Sequence, residues 1–212
     1  MLTPAAQSVG VDRRRNWSEL VRGVARVTPI SYVAATIAAA IGVFLLASRG
    51  AHDPAQLLTV ATLLLPMGSG LAFTDRSATT TASAVVSLRA RTSVRVSIIV
   101  LLLSVAWCVT IVIARTVLEE PIEVGTYTLH VMTLIGLAMA LSQRAARRDP
   151  GSLVGGQGAA AVFGCFALTK ALAFRFAWFP DIGMPQSPGA WWVILTASLI
   201  ALWHETRDYV MP

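Results

Sequence analysis

The stretch VSIIVLLLSVAWCVTIVIA, Val96–Ala114, decides the fold class. It sets 19 uncharged residues between Arg95 and Arg115, and about 20 apolar residues suffice to carry a helix across about 30 Å of bilayer hydrocarbon. Working outward, five more stretches of this kind appear. Arg26 to Arg49 encloses 22 uncharged residues, Asp53 to Asp75 21, Glu123 to Arg144 20, Asp149 to Lys170 20 and Asp181 to Glu205 23. The next longest, Arg76 to Arg89, holds only 12. The chain therefore reads as an all-α membrane protein with six transmembrane helices, near Ile30–Ser48, Ala55–Phe73, Val96–Ala114, Thr126–Ser142, Leu153–Phe174 and Gly189–His204. Composition agrees. Of 212 residues, 55% are hydrophobic and 13% charged, about half the charge expected of a soluble domain, and the mean hydropathy is +0.66. A soluble enzyme, a disordered chain and a disulfide scaffold are excluded.

The apolar run from Ile30 is too long for a secretory h-region of about 7–15 residues and reads as a span rather than a leader. Cys108 and Cys165 fall mid-span and read as small buried hydrophobes rather than a disulfide.

Basic residues orient the spans, because Lys and Arg concentrate on the cytoplasmic side. Arg13, Arg14, Arg15, Arg22 and Arg26 precede the first span, and Arg76, Arg89, Arg91 and Arg95 lie between the second and third. Arg144, Arg147 and Arg148 follow the fourth, and Arg207 lies in the tail, making 13 of 17 basic residues on one side. The other side has Arg49, Arg115, Lys170 and Arg175, beside Asp53, Glu119, Glu120, Glu123 and Asp181. Both termini are expected in the cytoplasm. Topology accounts for the net charge of +6, and no nucleic-acid partner is needed. The single lysine among the basic residues resembles usage in GC-rich bacteria, so the expected location is the bacterial cytoplasmic membrane.

Residues 1–15 read as a flexible cytoplasmic lead and 205–212 as a cytoplasmic tail, flanking a transmembrane domain over 29–204. Over 16–28, Asn16 suits an N-cap with Glu19 three residues on. Trp17, Leu20, Val21, Val24 and Val27 recur on one face, with Glu19, Arg22 and Arg26 elsewhere. This pattern predicts an amphipathic helix lying in the interface, with Pro29 permitting a sharp turn into the membrane. Trp17, Trp178, Trp191 and Trp192 are expected to anchor at membrane interfaces. Gly156, Ala160 and Gly164, four apart, form a small-residue stripe suited to close helix packing, within the chain or at a dimer seam. Lys170, inside the fifth span, is expected to snorkel outward.

Catalytic constellations are not found. There is no H-E-x-x-H, no cysteine cluster, and His52, His130 and His204 sit at expected span ends without metal-ligand spacing. Gly68-Ser69-Gly70 and the glycines at 151–156 lack the lysine of a phosphate-binding loop. Catalytic, cofactor and metal sites are expected to be none. Six spans with Gly68-Ser69-Gly70 and His204 resemble an intramembrane serine protease of the rhomboid family, but Met67 stands where its motif needs glycine. A non-transport scaffold or anchor subunit is a further alternative.

Between the second and third expected spans, Phe73 to Arg95 reads FTDRSATTTASAVVSLRARTSVR: an acidic residue, a small Ala/Thr/Ser run, then an Arg-flanked segment entering the next span. This resembles the permease subunits of type-2 ABC exporters, particularly small actinobacterial ones. The resemblance implies an interfacial elbow helix, here 16–28, a cytoplasmic coupling loop, here 75–95, and an outer re-entrant loop before span six. That last loop is short here, lacking the long extracellular domain of some members. It further implies a second permease subunit, identical or homologous, and a separate cytoplasmic ATPase dimer that binds ATP and Mg. The coupling residues would be Asp75, Arg76, Val85, Val86, Leu88, Arg89 and Arg91, with Val86 and Leu88 as apolar anchors. The implied activity is export of an amphipathic substrate: a drug, natural product, peptide or lipid-like molecule.

Overall fold

A computed structural model describes residues 18–26, 28–47, 54–72, 88–117, 123–148, 154–175 and 188–205. The described residues are helical, without strands, in seven helices: α1 (Ser18–Arg26), α2 (Ile30–Ala47), α3 (Pro54–Ala72), α4 (Leu88–Val117), α5 (Val124–Arg148), α6 (Val154–Arg175) and α7 (Pro188–Glu205). Two stretches, Ala90–Thr116 in α4 and Val124–Ala146 in α5, are long and apolar enough to cross a membrane.

α1 and α2 meet at a 65° bend. Thr28 ends α1 by donating both its N–H and its Oγ1 to the Val24 carbonyl, at 2.9 and 2.8 Å. Pro29 follows and has no N–H to continue the ladder. On α1, Val24 is buried, Leu20 half-buried and Val21 exposed with Glu19, Arg22 and Arg26, so part of the apolar face rests on protein. Asn16, Trp17 and Val27 of the expected amphipathic helix lie outside the described residues, as do 1–15 and the tail beyond Glu205.

α4 corrects one boundary. It begins at Leu88, not Val96, and runs unbroken for 30 residues. Arg89, Arg91 and Arg95 end the uncharged run without ending the helix, because arginine is a good helix former. At about 1.5 Å per residue α4 is about 45 Å long, about 15 Å more than the hydrocarbon is thick.

α5 is the hub. It packs along α7, α3 and α6, while α3 also packs on α2 and α6, and α4 lies against α2 and α3. One apolar core joins α2, α3, α4 and α5 around Phe44, Leu65, Ile99, Leu103 and Met139. A second joins α3, α5, α6 and α7 around Leu134, Val162 and Trp191. The starts of α2, α4 and α6 and the ends of α3, α5 and α7 share one end of the bundle, called here the basic end after Arg26, Arg91, Arg95, Arg144 and Arg148.

Candidate functional site: the buried polar face of α5

α5 is buried over most of its length, and along it Thr128, His130, Thr133, Ser142 and Gln143 face protein rather than surroundings. In an apolar medium a polar side chain is stable only against a partner, so these positions mark where neighbouring helices are tied. Three ties are resolved, one toward each end of α5 and one between them.

Toward the end opposite the basic one, Trp107 of α4 donates its Nε1–H to Thr128 Oγ1 at 2.9 Å, and Thr128 donates its own hydroxyl to the Val124 carbonyl at 2.6 Å. α4 and α5 otherwise scarcely approach one another, so this long side chain bridges them. Two residues on, the His130 ring lies against the Trp191 ring of α7, centroids 4.3 Å apart and tilted 53°. Both side chains are fully buried, at 0% and 1% exposure.

At the basic end three helices converge. Ser142 of α5 donates to the Gly70 carbonyl of α3 at 3.3 Å. A Cβ on Gly158 of α6 would strike Ser142 Oγ, and would stand 2.9 Å from the Ala138 carbonyl and 3.1 Å from Gly70 Cα. A Cβ on Gly70 would stand 2.9 Å from the Ala159 amide nitrogen. Backbone touches backbone here, which only glycine permits. Gly68, two residues earlier and so about 200° around α3, faces α2, where a Cβ would strike the Thr36 side chain. The Gly68-Ser69-Gly70 sequence thus packs α3 on two sides. Ser69 is buried and donates to the Pro66 carbonyl at 2.6 Å, while His204 is exposed on α7.

The expected sites fare differently. Asp75, Arg76, Val85 and Val86 lie outside the described residues. Leu88 and Arg89 open α4, with side chains that are also outside the description, and Arg91 is half-buried. Trp17 and Trp178 are likewise outside. Trp192 is 58% exposed, as an interfacial anchor requires, but Trp191 is buried against His130. Adjacent helical residues point about 100° apart, so both tryptophans cannot face lipid. The stripe Gly156, Ala160, Gly164 is exposed, with open space around both glycines. The close seam within the chain uses Gly158 instead, two residues along and on the other side of α6. Lys170 is half-buried, its Nζ 6.0 Å from the centre of the Phe166 ring.

His130 and Gly158 were the positions that sequence reasoning passed over. His130 reads as a span-end residue until α5 is seen to start at Val124, which puts it in the second turn. No group of three or more metal-ligating side chains is found among the described residues. No protein-family model, curated protein or solved structure matches the chain.

Proposed function

We propose that the chain is the six-span permease subunit of an ABC exporter in a bacterial cytoplasmic membrane, both termini in the cytoplasm, moving an amphipathic substrate with a separate ATPase. The observation that carries this reading is the continuity of α4. The segment resembling a coupling loop ends in Leu88–Arg95, and those turns are the start of the same helix that forms the most apolar span. Thr92, Val94 and Arg95 are buried there, so the first turns are seated in the bundle. A push on 75–87 is delivered to a rigid rod rather than dissipated in a loop. The 65° bend between α1 and α2 gives further support, since it lets α1 lie along the interface while α2 enters the membrane.

In this reading two such subunits pair around a path between them. The ATPase dimer binds ATP and Mg, grips the coupling segments through Val86 and Leu88, and draws them together as it closes. The six helices supply Phe, Met and Leu surfaces to the substrate. Replacing Val86 and Leu88 together by Asp is expected to abolish co-purification of the ATPase and vanadate-sensitive hydrolysis while leaving membrane insertion and yield normal, because buried apolar anchors dominate such interfaces. Wild-type recovery of the ATPase with the double variant overturns the coupling role.

A further inference from the structure

α6 and α7 both rest on α5, yet their backbones scarcely approach one another. They leave a cleft over α5 that only side chains fill, among them Leu134 and Ala138 from the floor, Val162 and Phe166 from α6, and Trp191 and Leu195 from α7. The same two helices expose Phe163, Leu168, Trp192 and Val193 by more than half. The cleft is apolar in its lining and open to hydrocarbon along its length.

Two polar groups break that lining. The Trp191 Nε1–H is a buried donor with no hydrogen-bond partner among the described residues. Burying a donor without an acceptor is unfavourable, and an acceptor oxygen delivered there gains more than it would on an open surface. Lys170 continues the α6 stripe of Val162 and Phe166 at four-residue spacing. It stands half-buried beside Phe166 at the end opposite the basic one, and brings positive charge to the same end as the Trp191 donor.

We propose that this cleft binds an anionic phospholipid. One acyl chain lies between α6 and α7, an ester oxygen accepts from Trp191 Nε1–H, and the phosphate meets Lys170. An apolar bed, one orphaned donor and one cation at a single end match an acyl chain, an ester and a charged headgroup in order. The inference rests on the chain lying in a bilayer and not on coupling to an ATPase.

The test uses the purified full chain without ATPase, so its outcome is independent of the coupling reading. Native mass spectrometry would compare retention of dioleoyl phosphatidylglycerol with that of dioleoyl phosphatidylcholine. The expected result is one retained phosphatidylglycerol, held about fivefold more tightly than phosphatidylcholine. Lys170→Gln removes that preference and Lys170→Arg keeps it. Arg175→Gln, at an exposed cation on the same helix end, changes nothing. Trp191→Phe retains a ring against His130, removes only the N–H, and weakens retention about fivefold. If that variant does not give a monodisperse protein, the Lys170 arm decides. Equal retention of the two lipids, or an Arg175→Gln loss as large as that of Lys170→Gln, overturns the proposal.

Discussion

α4 and α5 are the two stretches most able to cross a membrane, and they are built on opposite rules. α4 is the more apolar, yet only 33% of its best window is buried, while 61% of that of α5 is. Leu101, Val105, Val109 and Val112 of α4 face outward, whereas α5 turns Thr128, His130, Thr133 and Ser142 inward. In water the apolar residues would go inside. In hydrocarbon lipid is as apolar as leucine, so burial no longer sorts residues by hydropathy, and small or polar side chains that pack or bond take the interior. Hydropathy therefore ranks highest the helix that does least within the bundle.

The comparison breaks first at the glycines around α5. Gly158→Leu drives a side chain into the Ala138 carbonyl and Gly70 backbone, and should cost more than about 3 kcal/mol, leaving no monodisperse protein by size-exclusion chromatography. Gly156→Leu, two residues away in open space, should change melting by less than about 0.5 kcal/mol. Similar behaviour of the two would remove the close junction from the account.

Next comes the outer face of α4. Val105→Lys places a charge near mid-span and should cost about 3 kcal/mol on insertion, read as lost membrane integration. Normal integration would mean that this face meets water or protein instead of lipid. A smaller contrast follows from Leu134 on α5, fully buried, against Leu101 on α4, 67% exposed. Leu134→Ala should destabilise by about 2–4 kcal/mol through lost packing, and Leu101→Ala by less than about 0.5, both by thermal unfolding in detergent. The smallest effect belongs to the tie between the two helices. Trp107→Phe removes the hydrogen bond to Thr128 and should cost about 0.6–1 kcal/mol, with Thr128→Val showing the same loss and the double variant no further loss.

Much of the helical framework was legible. Uncharged runs set α2, α3, α5, α6 and α7 within a few residues, because charge is what a span excludes. Pro29 marked the bend, because a residue without an N–H cannot continue α1. What sequence did not show is facing. α6 is apolar all round, so Gly156, Ala160 and Gly164 look as suited to close packing as Gly158 does. Only the position of α5 decides between them. Trp191 and Trp192 are likewise identical in type and adjacent, and the neighbouring His130 selects which one is buried. The α4 boundary was missed for a different reason, since arginines that end a hydrophobic run are among the better formers of the helix that carries it.

The junction of Gly70, Ser142 and Gly158 has a mechanical consequence. With backbones in contact at one end, α3, α5 and α6 share a common foot and have no slack there to absorb a displacement by sliding side chains. A force applied next to that foot, where the chain leaves α3 and enters α6, tilts the three shafts as one piece. Their far ends sweep the larger arc, and α7, joined to the tripod through α5, is carried with them. A shift too small to repack any interface at the foot is thereby magnified into lateral travel at the opposite rim.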